Sequence, residues 1–377
     1  MLYWLFYEKL FHVFTPFRVF GYSTVRTALS ALTALFLCVF LGPALIAWLR
    51  RLQVGQYIRE DGPQSHLKKA GTPTMGGVLI VISIVVPTLL WANLGNFYIW
   101  IALFGLVSFG AIGFVDDFAK VRHKGNLGLT ALQKLVLQIL AALVVGWFLL
   151  LLHAHGMYST AVNVPFFKQF KPDLLISPLL HNFFTYPLAF LGFYIFLIFV
   201  VVGGSNAVNL TDGLDGLAIG LMIIASGAMT VLAYVSGNLK LAEYLDLARL
   251  PGAGELTIFC ASMVGASLGF LWYNCHPAEV FMGDVGSLAL GGALGVVAVL
   301  IKQEVLLLFI AGVYVVELLS VVLQVGSYKL RKKRIFKMAP IHHHFEQLGW
   351  PESKVIVRFW IAGLVLALFA LTTLKLR

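Results

Sequence analysis

The chain has 377 residues, of which 60% are hydrophobic and only 12% are charged. Soluble domains carry about 25% charged residues, so this composition excludes an ordinary soluble enzyme or binding domain. The formal net charge is +10. Much of that excess lies in loops on one side of the predicted membrane, so membrane topology explains it better than nucleic-acid binding.

The first 20 residues lack the basic start and the small-residue cleavage site of a signal peptide. Their aromatic side chains, which include Trp4 and Phe11, are typical of a helix at the membrane–water interface. We therefore expect this segment to lie along the membrane surface.

Apolar runs of about 18 residues or more can cross a bilayer, and the chain contains several of them. The loops between them are too short for a separate soluble domain, so we predict one all-α, polytopic integral-membrane domain over residues 1–377. The ten predicted transmembrane helices are 24–49, 75–95, 97–115, 130–152, 187–206, 214–235, 255–273, 285–301, 305–327 and 355–374.

The lysines and arginines predict the orientation of these spans. With the spans alternating across the membrane, 17 basic residues fall on one side and 10 on the other. The side with more basic residues is expected to be cytoplasmic, which places both termini outside the cytoplasm.

Three acidic motifs follow predicted spans three, five and seven. They are Asp116-Asp117, the segment Asn209–Gly216 with its two aspartates, and Asp284 within Phe281–Gly286. All three are therefore predicted on the cytoplasmic side. Carboxylates beside hydrocarbon are costly, and two of them at about 4 Å repel by roughly 4 kcal/mol at an effective dielectric of about 20. A divalent cation offsets that repulsion, so we predict a Mg²⁺ site with Asp284 as its main ligand.

Each acidic motif also has a purely structural interpretation. Asp116-Asp117 could end a span in water, and the aspartates of Asn209–Gly216 could cap the next helix. Asp284 could likewise be a helix cap. The glycines of Asn209–Gly216 favour close backbone approach, and a helix N-terminus offers N–H groups to phosphate, so capping and binding are compatible.

Two further motifs are candidates for substrate contact. Lys69 precedes the turn Gly71–Gly77, which carries Thr74 and could hold phosphate, although its order of Gly and Lys differs from a Walker A loop. In the predicted extended loop after Pro340, three consecutive histidines cannot all face the same way. Contact with phosphate or sugar by one or two of them is favoured over a plain loop, and a zinc site is the least favoured interpretation. Glu317, inside a predicted span, is expected to be hydrogen-bonded within the bundle and is assigned no catalytic role.

Taken together, these motifs resemble those of the phospho-N-acetylmuramoyl-pentapeptide transferase family, which belongs to the polyprenyl-phosphate N-acetylhexosamine-1-phosphate transferases. The resemblance covers essentially the whole chain. The acidic motifs mark the superfamily, whereas the Gly71–Gly77 turn and the segment Ala339–His344 point to this branch. The matching segments are Gly71–Gly77, Asp116-Asp117, Asn206–Ala218, Phe281–Ser287 and Ala339–His344.

The resemblance implies a Mg²⁺-dependent enzyme in the bacterial inner membrane with its active site on the cytoplasmic face. Such an enzyme joins undecaprenyl phosphate to the phospho-sugar of UDP-N-acetylmuramoyl-pentapeptide, which releases UMP and forms lipid I for peptidoglycan synthesis. It also implies a homodimer surrounded by membrane lipids, and no nucleic-acid partner.

The resemblance further implies roles for single residues. Asp284 matches the metal ligand, and Asp116 and Asp117 match an acidic pair near the attacking lipid phosphate. Positions that match the uridine pocket are Lys69, Gly213, Leu214, Asp215, Asn274 and Phe281, with Phe281 stacked on uracil. The other expected site residues are Thr74, Asn209, Asp212, His342 and His344 as substrate contacts and His343 as a catalytic residue.

Two alternative functions remain open from the sequence. A related transferase could use UDP-N-acetylglucosamine, against which the His-rich segment argues. A cation-coupled transporter could also hold carboxylates in the membrane, but such proteins often show repeated halves with sites at mid-membrane. This chain shows no matching halves, and its acidic motifs lie at one face.

Overall fold

In the computed structural model, the described residues are 1–51, 71–122, 128–165, 167, 170–176, 186–245, 247 and 249–374. Every regular element in these ranges is helical, and an isolated β-bridge joins Ala161 to Asp173. The predicted all-α class is confirmed.

Fourteen α-helices are present in the described ranges, after two short helical segments at Trp4–Leu10 and Thr15–Gly21. They are α1 Ser23–Arg51, α2 Gly77–Trp91, α3 Phe97–Arg122, α4 Ala131–Ala154, α5 Tyr186–Ala189, α6 Leu191–Thr211, α7 Leu217–Gly237, α8 Leu239–Tyr244, α9 Ala253–Asn274, α10 Gly283–Leu300, α11 Glu304–Ile310, α12 Gly312–Arg331, α13 Ile341–Gln347 and α14 Glu352–Thr372.

Nine of the described helices are long and apolar enough to cross a membrane. The second predicted span forms a shorter apolar helix of 15 residues, α2. The ninth predicted span, 305–327, is wrong as a single helix, because the chain leaves helical geometry at Ala311 and divides into α11 and α12. Gly312 follows directly, and glycine holds a helix poorly.

Two helices extend further than predicted, and both extensions carry polar residues. Helix α3 ends at Arg122 instead of residue 115, so Asp116 and Asp117 lie inside it. Basic residues stabilise a helix C-terminus, and Lys120 also pairs with Asp116 one turn earlier. Helix α6 continues to Thr211, beyond its predicted end at residue 206, so the break before α7 is confined to residues 212–216.

Helix α10 lies at the centre of the bundle, where every residue from Val285 to Leu300 is buried. Its small residues allow close approach of α6: a Cβ added at Gly291 would collide with the carbonyl oxygen of Gly204, and one at Gly295 with the backbone of Val201. The glycines and alanines of α10 therefore serve close helix packing.

Polar contacts tie α9 to α1 inside the apolar bundle. Ser30 and Ser262 share a hydrogen bond of 2.6 Å, and Arg26 lies 2.7 Å from a carboxylate oxygen of Glu255. The N-terminal amine of Met1 donates to the carbonyl oxygen of Leu89 at the end of α2. The N-terminal segment is therefore attached to the bundle at the end opposite the acidic motifs.

Candidate active site

Two helices bring three of the predicted carboxylates together. Asp116 and Asp117 lie near the end of α3, and Asp284 lies in the first turn of α10. One oxygen from each of the three carboxylates lies within 4.8 Å of the others. Asp116 and Asp117 are buried and Asp284 is half-buried. We refer to these three residues as the carboxylate cluster.

Asp284 is held by side chains from other helices and does not cap its own. Its Oδ1 atom accepts a hydrogen bond of 2.6 Å from Nδ2 of Asn209, which also bonds Ser287. The N-cap position of α10 belongs to Met282, and no side chain makes a capping hydrogen bond there. The interpretation of Asp284 as a helix cap is therefore wrong, although a carboxylate is favoured in the first turn by the helix dipole.

Two lysines that the sequence interpretation missed neutralise the carboxylate cluster. Nζ of Lys120 lies 2.8 Å from Oδ2 of Asp284, and Nζ of Lys134 lies 2.7 Å from the same oxygen. Lys134 also contacts Asp116 at 3.2 Å. Lys120 follows Asp116 by four residues, a helical spacing that does signal an ion pair. Lys134 comes from α4, and nothing in the sequence pattern indicates its contact.

Backbone N–H groups hold the two aspartates of α3 in place. Oδ1 of Asp116 accepts a hydrogen bond of 2.7 Å from the N–H of Leu129, and Oδ2 of Asp117 accepts one of 3.2 Å from the N–H of Val285. Asp117 therefore connects α3 to the first turn of α10. The two aspartates are integrated into the site and do not end a span in water.

The Gly71–Gly77 turn supports the segment that precedes Asp284. Phe281 exchanges backbone hydrogen bonds with Pro73 and Gly76, at 2.8 and 2.9 Å. A Cβ added at Gly77 would collide with the backbone of Gly286, so glycine is required for this approach. Thr74 lies beside Gly283. A phosphate contact from Thr74 stays a prediction, and Lys69 lies outside the described residues.

Asn274 joins the two loops that contain most of the predicted uridine-pocket residues. Its Oδ1 accepts from the N–H of Gly216 at 3.1 Å, and its Nδ2 donates to the carbonyl oxygen of Val280 at 2.8 Å. Gly216 has φ of +79°, a conformation that favours glycine. The structure thus places the 212–216 loop beside the segment that carries Phe281, and Asn274 acts between them.

Asp215 belongs to a second polar group that the sequence did not indicate. Its Oδ2 accepts from the N–H of Ala278 at 3.1 Å and lies 3.2 Å from Nδ1 of His276. Glu352 accepts from the N–H of Asp215 at 3.0 Å. Asp212 is close enough to both sets of residues to feel the charges of Asp284, Asp117 and Asp215. Burial, followed by the charges of Asp284 and Asp117, raises the pKa of Asp212 to about 8.

The three histidines lie on the short helix α13, so the predicted extended loop is wrong. As expected, their side chains face different partners. His342 is fully buried at 3.1 Å from Glu317. His343 lies 2.6 Å from Glu346, and Nδ1 of His344 accepts from the N–H of Lys337 at 3.1 Å. Because all three are held by the protein in different directions, their catalytic and substrate-binding roles stay predictions.

A cavity of about 440 Å³ opens beside the carboxylate cluster between the ends of α3, α4, α6 and α10. Its polar lining includes Lys120, Lys134, Asn209 and Asp284, and Leu135 of α4 contributes an apolar wall. Carboxylates, ammonium groups and an apolar wall in one cavity suit an anionic group attached to a hydrocarbon chain.

Comparison with known proteins identifies the family. Residues 99–302 match Glycosyl transferase family 4, and residues 69–81 match phospho-N-acetylmuramoyl-pentapeptide-transferase signature 1. Over the full length of both chains, the sequence is 68% identical to the phospho-N-acetylmuramoyl-pentapeptide-transferase of Solibacter usitatus and 66% identical to that of Koribacter versatilis. This chain belongs to the phospho-N-acetylmuramoyl-pentapeptide-transferase family. The protein of the same name from Acidobacterium capsulatum is 64% identical, again over both full lengths.

Membership of this transferase family confirms the resemblance deduced from the motifs. The signature over residues 69–81 contains the Gly71–Gly77 turn, which had indicated this branch over a UDP-N-acetylglucosamine transferase. The match over residues 99–302 contains the carboxylate cluster and the 212–216 loop, and it opposes the transporter alternative.

The donor atoms of the carboxylate cluster fit a hard divalent cation. Asp116, Asp117 and Asp284 offer carboxylate oxygens within 4.8 Å of one another, and oxygen ligands are those that Mg²⁺ prefers. The half-buried position of Asp284 beside the cavity leaves room for substrate phosphate oxygens, which commonly complete a Mg²⁺ site.

Proposed function

We propose that this protein transfers phospho-N-acetylmuramoyl-pentapeptide from its UDP-activated form to undecaprenyl phosphate, which gives lipid I and UMP for peptidoglycan synthesis. The observation that carries the proposal is the carboxylate cluster, paired with Lys120 and Lys134 beside a cavity of about 440 Å³. Family membership supports the choice of both substrates.

Asp284, with Asp117 and Asp116, would hold Mg²⁺. When bound, the ion neutralises charge on the diphosphate and on the departing UMP. Asn209 keeps Asp284 in position through its 2.6 Å hydrogen bond. Asp117 keeps α10 aligned with α3 through its bond to the N–H of Val285.

Lys120 and Lys134 bind phosphate oxygens in this proposal. Both ammonium groups contact Oδ2 of Asp284 in the structure, which shows that they reach the centre of the site. Phosphoryl transfer needs positioning and charge stabilisation more than covalent help, and two ammonium groups on different helices supply both.

The reaction balances without a covalent enzyme intermediate. An oxygen of the lipid phosphate forms a bond to the β-phosphorus of the nucleotide, and the bond from that phosphorus to the bridging oxygen breaks. UMP leaves with the bridging oxygen. Because the second pKa of a phosphate monoester is about 6, the lipid phosphate is already largely dianionic at neutral pH. Asp116 and Asp117 then organise the site and handle protons.

The nucleotide lies at the 212–216 loop in this proposal, with uracil stacked on the half-buried ring of Phe281. Asn274 and Asp215 make hydrogen bonds to the backbone of the two loops. Their main contribution in this proposal is to fix the conformation of the loops that form the pocket. Lys69, Gly213 and Leu214 complete the uridine pocket. Thr74, Asp212, His342 and His344 contact the rest of the substrate, and His343 takes part in catalysis.

The proposed site faces the cytoplasm from the bacterial inner membrane. Arg50 and Arg51 end α1, and Lys329 and Arg331 end α12, so basic residues flank the membrane on the side of the carboxylate cluster. The exposed faces of α1, α4 and α14 are rich in large apolar side chains, which suits contact with lipid and with a second copy in a homodimer.

The test is an assay of purified protein with Mg²⁺, undecaprenyl phosphate and UDP-N-acetylmuramoyl-pentapeptide. We expect UMP and a lipid-linked phospho-sugar in equal amounts. UDP-N-acetylglucosamine in place of the muramoyl nucleotide should give no product. Product from UDP-N-acetylglucosamine but not from the muramoyl nucleotide would indicate the related UDP-N-acetylglucosamine transferase activity. Absence of UMP with either nucleotide would overturn the proposal.

A further inference from the structure

Glu317 and His342 face each other in the interior of the bundle. Glu317 lies on α12 and His342 on α13, and the side chains of both are 0% exposed. Oε2 of Glu317 lies 3.1 Å from Nδ1 of His342. Among the described residues, neither carboxylate oxygen of Glu317 and neither ring nitrogen of His342 has a hydrogen-bond partner. The 3.1 Å approach is therefore the polar contact that the two side chains share.

A buried carboxylate that faces an imidazole is weak evidence for stability. Removing ionisable groups from water is costly, and apolar residues of similar volume often stabilise a protein as well or better. Ionisable groups inside transmembrane helices therefore mark functional sites by default. Glu317 lies on a helix whose neighbouring residues are mostly apolar, so packing alone does not explain a carboxylate there.

The other ring nitrogen of His342 faces the 212–216 loop. A Cβ added at Gly213 would collide with Nε2 of His342, so the imidazole lies directly against this glycine. Gly213 follows Asp212, and both belong to the loop proposed to receive the nucleotide. The imidazole thus lies between the carboxylate of Glu317 and the substrate loop.

Tyr314, one turn before Glu317 on α12, makes a second contact with the same region. Its hydroxyl donates to the carbonyl oxygen of Ala218 at 2.6 Å, just after the 212–216 loop. The face of α12 that carries Tyr314 and Glu317 is therefore directed toward the beginning of α7 and the loop before it. Two independent contacts place this helix as the support of the loop.

We propose that Glu317 is a positioning residue that orients the imidazole of His342 against the 212–216 loop. The bond made by one ring nitrogen of a histidine sets the tautomer and the direction of the other. With Nδ1 directed to Glu317, Nε2 is presented at Gly213, where it supports the loop that is proposed to bind the substrate. This role rests on the proposed transferase activity and assigns a function to a residue that touches no substrate.

The positioning role is tested by comparing Glu317→Leu and Glu317→Gln with the wild-type protein. Release of UMP by the wild-type protein is established first. Glu317→Leu keeps the approximate side-chain volume but removes the carboxylate that orients the imidazole of His342. We expect it to fold with an unchanged or higher melting temperature and to lower kcat/KM for the nucleotide at least tenfold, while KM for the lipid stays unchanged. Glu317→Gln keeps an acceptor oxygen for Nδ1 and should retain activity to within about threefold.

A buried carboxylate away from the site gives a matched control. Glu304, at the other end of α10, pairs with buried Lys302 at 2.7 Å. Glu304→Gln should lower the melting temperature and leave kcat/KM unchanged. If the Glu317 effect acts through His342, Glu317→Leu should cause no further loss in a His342→Gln background, because residues acting as one unit are non-additive.

Three results would overturn the inference while leaving the transferase proposal intact. The first is a kcat/KM of Glu317→Leu within twofold of wild type. The second is a loss of kcat/KM in Glu317→Leu that adds to the loss in His342→Gln when the two are combined. The third is an equal loss of kcat/KM in Glu304→Gln. If Glu317→Leu does not fold, the same cycle is measured with Glu317→Met, which also removes the carboxylate, and additivity there would be equally decisive. An inactive wild-type protein would instead contradict the transferase proposal itself.

Discussion

Nζ of Lys134 on α4 lies 2.7 Å from Oδ2 of Asp284 on α10, and this ion pair joins residues 150 positions apart in the chain. The same oxygen accepts from Lys120 on α3 at 2.8 Å. Two ammonium groups therefore pair with the carboxylate of Asp284, which we propose as the main Mg²⁺ ligand. Cation binding and lysine pairing compete for one oxygen, and the competition can be measured.

Lys134→Met should tighten Mg²⁺ binding and still slow the reaction. Without the ammonium group, Asp284 is less neutralised, so we expect the half-saturating Mg²⁺ concentration to fall about threefold to tenfold. At saturating Mg²⁺, kcat should fall at least tenfold, because a phosphate contact is lost. Initial rates over a Mg²⁺ titration measure both effects. Lys240→Met, on exposed α8, is the matched control. Unchanged Mg²⁺ dependence would show that Lys134 does not compete with the cation.

Asp284→Asn should lower kcat by about a hundredfold or more. The amide keeps the size and the contact with Asn209 but removes the charge that holds the cation, and loss of one such electrostatic contact typically costs 10²–10³ in rate. Steady-state UMP release checks this. Asp173→Asn, whose carboxylate accepts from Thr160 beyond the far end of α4, should behave like wild type. Near-normal activity of Asp284→Asn at high Mg²⁺ would exclude Asp284 as the main ligand.

Phe281→Ala should weaken nucleotide binding and leave the fold intact. Only the backbone of Phe281 bonds to Pro73 and Gly76, so truncating the ring keeps those bonds. A stacked base contributes about 1–3 kcal/mol, which corresponds to a KM for the nucleotide raised roughly fivefold to a hundredfold. Phe281→Tyr retains a stacking face and should stay near the wild-type value. An unchanged KM in Phe281→Ala would mean that uracil binds elsewhere.

Direct attack by the lipid phosphate predicts that no UMP forms until lipid is added. Asp116 and Asp117 are held by backbone N–H groups and lysines, which suits organisation of the site. Rapid-quench measurement of UMP from lipid-free enzyme tests this. We expect no burst, and strong impairment of both Asp→Asn variants in the complete reaction. A stoichiometric burst that Asp117→Asn abolishes would establish a covalent route.

Metal-free protein should become less stable as the pH rises from about 4 to about 8. Burial, and then Asp284 and Asp117, raise the pKa of Asp212 from its ordinary 3.8 to about 8. In that window the folded state retains a proton that the unfolded state has released. Folding is therefore favoured at the acidic end, and this contribution is lost as the pH approaches 8. Melting temperatures between pH 5 and 8.5 check this. Asp212→Asn should reduce the dependence of the melting temperature on pH. An unchanged pH dependence in that variant would mean that other groups cause it.

Hydropathy was sufficient to locate most of the long helices of the bundle, because a bilayer requires long apolar runs, but it did not reveal the break at Ala311. Alternation of the spans was sufficient to place the acidic motifs on one side, and Asp116, Asp117 and Asp284 do meet there. The prediction ended α3 at residue 115, whereas the helix continues to Arg122. The charged residues after 115 are typical of a loop, and hydropathy does not reveal ion pairs such as that of Asp116 with Lys120.

The tertiary structure alone decided which side chains complete the site. The lysine of α4 that reaches Asp284, the pairing of His276 with Asp215 and the burial of His342 against Glu317 all join segments distant in the chain. Hydropathy and spacing define a helix along its own axis, whereas these contacts depend on how each helix is rotated and placed against its neighbours. That arrangement follows from the small residues of α10, whose close packing with α3 and α6 brings the helix ends together.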